Sequence, residues 1–382
     1  MKNETFADVS ILRYGLDGFA ELSLQQKLLI YCLAEASLCG RDIVTDQFGR
    51  WNLLVRTTLE TIYLHTATDR NTAEFFGHSP QQASQVQHFE TYLKQVWFAN
   101  GIYHHYSGKK FTPQFSADFL RERIGECEHF LHETVSFQSP EQLFQVLQPI
   151  IFDATCYPQK TNQRAGDDLV TSSAVNYYEG VTQEEAEHFY EKLSSKMGTT
   201  ATVGLNSRLV KEAVSGTIGE SVWKIGGEYS PALEHVVDWL EHALQYAETS
   251  QQHLVIQLLI DYYRTGDLGL FDRYSIEWVK ENEATVDFIN GFIESYADPL
   301  GLKGSWEGIV HYIDKQSTQR AQTVCEHAMW FEQHSPVNPV YRKEQVVGIS
   351  ARAVNAAMLG GDEYPSTAIG INLPNNNWIR AT

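Results

Sequence analysis

The 382 residues carry 43% apolar and 20% charged side chains, an ordinary globular balance that excludes a disordered or low-complexity chain. Twenty-nine Lys+Arg against 48 Asp+Glu give a net charge of −19, which repels nucleic acid and an anionic membrane surface. The acidity serves solubility or steers a cationic ligand; composition alone leaves both open.

The length suits two lobes, or one large domain with insertions. Cys32, Cys39, Cys127, Cys156 and Cys325 are odd in number and scattered, with no C-x-x-C, so neither a disulfide framework nor a thiolate zinc site is signalled. The amino terminus has no apolar leader core, and the longest apolar run near it, Leu28 to Ala34, is far too short to span a membrane. A reducing, cytoplasmic setting is the expectation.

In chain order, Ser23 and Gln26 form an S-x-x-Q capping box before a helix that stops at Gly40. Helical spacing follows over Trp51–His65, after the Ser139, Pro140, Gln142 start signal, after the Thr182, Glu185 box, and from Ser230-Pro231 onward. Thr199–Gly226 turns β-branched and Gly-rich, which suits two short strands around turns. Helical spacing resumes over Gln251–Tyr263, and "TVDFINGFIESYADPLG" then alternates up to the Asp298-Pro299 break. Ser305 to about His334 reads as a long polar helix closed by "SPVNP". "EQVVGISARAVNAAMLGG" and "STAIGINL" read as returning strands.

Motifs for chemistry are sparse. A zinc peptidase helix needs H-E-x-x-H, and "EHFLHETVSF" has Ser136 where the second histidine belongs. His129 and His132 stand three apart, which fits a metal pair or, more simply, an exposed helix face. In "YHHY", Tyr103–Tyr106, adjacent side chains point apart, so packing and hydrogen bonding in a loop are the simpler reading. No G-x-S-x-G elbow and no phosphate loop is present.

The informative stretch is "GFIESYADPLGLKGSWEG", Gly291–Gly308. On a period-two strand Phe292, Glu294 and Tyr296 share a face, setting a carboxylate and a phenol together at a strand end. Such a pair can receive a substrate ammonium and a carbonyl, or make an ion pair between lobes with a satisfied tyrosine.

With "IGINLPNNNWIR", and with "NGIYHHYSGKKFTP" and "GEYSPALEHVVDWLEHALQYA" in support, this stretch resembles the dipeptidyl peptidase III family, zinc exopeptidases that release dipeptides from peptide amino termini. The resemblance runs from the first helices to Arg380. It implies an α+β fold, mainly helical with a small β-barrel or sheet, forming the lower lobe of a two-lobed peptidase. Residues 1–311 would be lower lobe, 312–340 a helical excursion into the upper lobe, and 341–382 the return to the lower sheet with the substrate-binding strand.

The family's E-x-Y motif maps its ammonium receiver onto Glu294, and onto Tyr296 a contact near the scissile bond. G-I-N-x-P-N maps amino-terminal binding onto Asn372 and Asn375, with Gly370, Ile371, Asn372 and Leu373 as the receiving strand edge. Asn376 and Asn377 read as turn residues. The family's zinc motifs, H-E-x-x-G-H and E-E-x-x-A-D, lie beyond G-I-N-x-P-N and are not in this sequence. The expectation is therefore a substrate-binding half with no catalytic residue and no bound zinc of its own. Its partner would be an oligopeptide, or a carboxy-terminal half with which it works. A non-catalytic peptide-binding module and an inactive remnant are the rival readings.

Overall fold

A computed structural model describes residues 4–68, 80–197, 202–346, 351–365 and 370–380. It begins with the hairpin β1 (Glu4–Phe6) and β2 (Val9–Ile11). Helices α1 (Leu24–Cys39), α2 (Arg41–Gln47), α3 (Asn52–Thr68), α4 (Pro80–Phe98), α5 (Ala117–Glu126), α6 (Glu128–Thr134) and α7 (Pro140–Phe152) follow. Next come β3 (Tyr178–Glu179), α8 (Gln183–Met197), β4 (Ser207–Lys211), β5 (Ile218–Val222), α9 (Ser230–Leu244), α10 (Ser250–Thr265) and α11 (Leu268–Lys280). The chain continues through β6 (Val286–Glu294), β7 (Ser305–Ile313), α12 (Lys315–Glu326), α13 (Ala328–His334), β8 (Val354–Gly361) and α14 (Asn377–Arg380).

Helix starts follow local hydrogen bonding. Ser23 accepts from the Gln26 N–H while the Gln26 side chain accepts from the Ser23 N–H, closing the capping box. Thr182 and Glu185 close another ahead of α8, and Ser139 caps α7 through the Gln142 N–H. These bonds span three residues, which is why sequence spacing reveals them.

Two cores divide the molecule. α3 to α7 pack around Leu59, Leu93, Leu120 and Leu147. The second core joins α1, α9 and α10 to the sheet β6–β7–β8 through Leu33, Leu240, Leu259, Phe292 and Trp306. A smaller cluster, with Tyr190 and Leu209, lies under α8 and β4.

Among the described residues the strands form three open sheets, β1–β2, β3–β4–β5 and β6–β7–β8, and no closed barrel. The mixture of helix and sheet is as expected; a barrel is not what forms. No described helix is long and apolar enough to cross a membrane, and the five cysteines are free thiols.

Three readings change. Ser305–Ile313 is strand β7, not the start of a helix, and the helical stretch begins only after Asp314, whose side chain accepts from the Ser317 N–H. Eight of the nine β7 residues are buried, so the polar alternation that marks a half-exposed strand is missing. Helix α11 occupies Leu268–Lys280, where no helix was read. Of "STAIGINL", residues 366–369 lie outside the described residues, and 370–376 run without strand pairing, so the expected strand edge at Gly370–Leu373 is an irregular segment.

α1 lies close against one face of the β6–β7–β8 sheet. A Cβ on Gly40 would fall 1.7 Å from the Trp306 indole, and one on Gly308 would fall 2.7 Å from Ser37. The opposite face of the sheet carries the candidate site.

Candidate functional site

β6 and β7 pair antiparallel, with Gly291 opposite Glu307, Phe292 opposite Trp306, and Glu294 opposite Ser305 after a bulge at Ile293. Directly opposed residues share a face of the sheet. Phe292 and Trp306 therefore point into the core beneath α1, where both are fully buried. The bulge shifts the alternation, so Glu294 turns away from Phe292 and joins Ser305 and Glu307 on the other face. This corrects the expected grouping of Phe292, Glu294 and Tyr296: the last two stay together and Phe292 leaves them.

A built turn follows β6. The Asp298 carboxylate accepts from the N–H groups of Leu300, Leu302 and Lys303 at 3.2, 2.7 and 2.9 Å and from the Tyr178 hydroxyl at 2.9 Å. The Thr161 hydroxyl donates to the Ala297 carbonyl at 2.7 Å, tying the turn to the facing loop. These bonds hold Glu294 and Tyr296 on the wall of a polar cavity of about 490 Å³.

The remaining wall comes from three chain segments. His105, Tyr106 and Ser107 belong to the "YHHY" loop, and Gln159 and Lys160 to the strap beside it. Asp362 and Glu363 follow β8. The loop reading of "YHHY" holds: the His104 ring accepts from the N–H groups of Tyr106 and Ser107 and stacks on His105 with centroids 4.5 Å apart. The Gln159 amide donates to the Ser107 carbonyl, and the Lys160 ammonium lies 4.0 Å above the Phe48 ring centroid.

Electrostatics in this cavity, and at the buried Glu307 behind its carboxylates, are unusual. Burial, then the neighbouring carboxylates, pushes Glu307 up to about 9, and burial pushes Asp362 up to about 6 although Lys160 pulls it down. Burial also raises Glu294 against the opposing Asn375 hydrogen bond. Burial lowers Lys160, opposed by Asp362.

The Asn375 amide donates to Glu294 at 3.1 Å, so those two expected residues meet. Tyr296 is 80% exposed, on the rim. Gly370, Ile371 and Asn372 lie exposed on the irregular segment before Pro374. Asn376 does more than turn the chain: its amide donates to the Thr202 hydroxyl at 2.8 Å. Asn377 opens α14. A second, more apolar cavity of about 310 Å³ lies beside the first, lined by Ile293, Phe271, Trp278, Leu373 and Asn375 among others. Alternation past the bulge sends Ile293 and Ser295 to this cavity and Glu294 and Tyr296 to the polar one.

Sequence reasoning passed over Glu307, Asp362, Glu363 and Lys160. A signal existed for Glu307, a lone carboxylate between Trp306 and Gly308 in a mostly apolar run, once "SWEGIVHYI" is recognised as a strand. His129 and His132 face solvent on α6, pairing loosely with Glu133 and Glu128 along the same helix. Among the described residues no three His, Cys, Asp or Glu side chains converge as metal ligands.

The model of Peptidase family M49 matches residues 167–382, more than half of the chain. The chain belongs to peptidase family M49. Curated relatives of this M49 chain include dipeptidyl peptidase 3 of Rattus norvegicus, 24% identical over 406 residues, and of Homo sapiens, 25% identical over 399. Each alignment covers 96% of the chain and 52% of the relative. The fold is similar to the solved structures of DPP III from Caldithrix abyssi, with TM-score 0.62 at 15% identity, and of dipeptidyl-peptidase III from Corallococcus sp. strain EGB, with TM-score 0.61 at 16%. Those matches cover 95% and 96% of the chain, and 54% and 53% of the solved chains. The M49 chain thus spans about half the length of the relatives it matches. The family resemblance drawn from its motifs is borne out.

Proposed function

We propose that this chain carries the substrate-binding site of a dipeptidyl peptidase III and receives the free amino terminus of an oligopeptide at Glu294. The observation that supports this most is the half-buried Glu294 carboxylate, oriented by Asn375 on the wall of a polar cavity large enough for two residues of a peptide. An ammonium has three donors and needs a carboxylate plus further acceptors, which Glu294 and its acidic neighbours supply.

In this reading Tyr296 on the rim donates to a peptide carbonyl. Asn372 and Asn375 hold the amino-terminal end, and the exposed segment Gly370, Ile371 and Asn372 runs alongside an extended peptide. The division into a lower lobe (1–311), an excursion (312–340) and a return (341–382) belongs to the same reading, as does a cytoplasmic location. So does zinc: in the complete family enzyme it would polarise the scissile carbonyl, and the described residues offer it no ligand set, so no step is derived through it.

Calorimetry with an unblocked tetrapeptide and its N-acetylated form tests the reading. The free peptide binds and the acetylated one does not. Equal affinity for both would overturn it. Elemental analysis of the purified chain is expected to find no stoichiometric zinc, and finding it would return attention to His129 and His132.

A further inference from the structure

Glu307 is 1% exposed, in the middle of a sheet, and neither of its carboxyl oxygens has a hydrogen-bond partner. Buried polar groups are almost always paired, so an orphaned carboxyl calls for a reason. Its cross-strand neighbours are Gly291 on β6 and Gly361 on β8, which have no side chains to cover it. Gly361 cannot easily be anything else, since its φ is +72° and a Cβ there would fall 2.1 Å from the Trp306 carbonyl.

The groups that face Glu307 come from every neighbouring element. β6 presents Glu294, the turn after β8 presents Asp362 and Glu363, and α11 presents the Tyr274 phenol. Lys160 acts on Asp362, and further along β7 His311 lies 3.6 Å from Asp287. Glu294, Asp362 and Glu363 open onto the polar cavity. Acidic side chains from β6 and from the turn after β8 thus surround one unpartnered carboxyl. They do not converge as a metal site, so the cation they suit is one that binds by hydrogen bonds.

We propose that Glu307 is a proton-exchanging carboxyl buried behind the ammonium site: a terminal ammonium that reaches Glu294 displaces the proton held by Glu307. The ammonium keeps its three protons. The O–H bond of the Glu307 acid breaks, its electron pair stays on the carboxylate, and the proton leaves to solvent. Burial and the surrounding carboxylates keep Glu307 protonated near neutral pH in the free protein, and a cation arriving among them reverses that preference. The inference rests on the ammonium-binding reading above and adds to it the group that sets its pH dependence.

Calorimetry of the full chain with an unblocked tetrapeptide, in two buffers of different ionisation enthalpy near neutral pH, counts the protons released. Binding is expected to release close to one proton per peptide, with affinity rising up to roughly tenfold per pH unit below neutrality. In Glu307→Gln the release falls to near zero and the affinity becomes nearly independent of pH, while selectivity for the free over the acetylated peptide remains. Infrared difference spectra of the wild-type chain supply a second reading that needs no variant: a protonated-carboxyl band disappears when the peptide is added. Unchanged proton release in Glu307→Gln, or no loss of that band, overturns the proposal and leaves Glu294 as receiver. Equal binding of free and acetylated peptides, or no binding of either, overturns the ammonium reading and this inference with it.

Discussion

Lys303 and Glu307 stand four residues apart, both buried, and the protein treats them in opposite ways. Lys303 is fully buried; its ammonium donates to the Tyr190 and Ser207 hydroxyls, lies 4.5 Å above the Tyr190 ring, and has Glu220 at 4.0 Å. Burial pushes it down to about 8, but two of its three donors are hydrogen-bonded and a carboxylate lies within ion-pair distance. Glu307 has no hydrogen-bond partner among the described residues. A satisfied buried charge holds neighbouring elements in register, and here it ties the turn after β6 to α8 and β4. An orphaned one stores an unmet demand beside a cavity. Both are ionisable and both are buried, so what separates them is whether hydrogen-bond partners lie within reach.

The largest expected effect falls on the structural member. Lys303→Ala removes the buried cation and leaves its acceptors in a void, which should cost about 3–5 kcal/mol. Thermal unfolding would show a drop of many degrees, and a surviving folded fraction would bind peptide as before. A small stability change with lost binding would reverse the contrast.

Next comes Glu294→Ala. Removing the proposed partner of a half-buried ammonium should weaken unblocked tetrapeptide by about 2–5 kcal/mol, roughly thirtyfold or more by calorimetry. Its unfolding temperature should stay near wild type, because among the described residues the side chain makes one hydrogen bond, to Asn375.

Glu307→Gln sharpens the comparison through pH. A carboxyl whose folded value is raised to about 9 contributes stability that is fully present below its unfolded value, near 4.3, and is lost as pH rises through about 9. Glutamine cannot ionise, so the variant should gain unfolding temperature over wild type progressively from about pH 5 to pH 9. A constant difference across that range would mean that Glu307 does not hold its proton in the folded chain.

The smallest effect is expected at Asn375→Ala, which removes one hydrogen bond to Glu294. A loss of about 1 kcal/mol, near fivefold in affinity, is expected by the same calorimetry. A loss as large as that of Glu294→Ala would mean that the amide holds the peptide as strongly as the carboxylate it orients.

What the sequence by itself determined is local or motif-borne. Ser23 with Gln26, Ser139 with Gln142, and Thr182 with Glu185 each close within three residues, so spacing suffices to place α1, α7 and α8. The β4–β5 pair showed in its β-branched, Gly-punctuated composition, and the E-x-Y stretch marked Glu294 and Tyr296, which do share one cavity. The tertiary structure decided the rest. β7 passed for helix because burial on both faces removes the alternation by which a strand is read. The bulge at Ile293 dismissed Phe292 from the pair, and no local pattern announces a one-residue slip in register. Glu294 comes from β6, Glu307 from β7, Asp362 from the turn after β8, and Lys160 from a distant loop. Their meeting, and the lack of a hydrogen-bond partner for Glu307 among the described residues, exist only because strand pairing closes chain segments far apart in sequence.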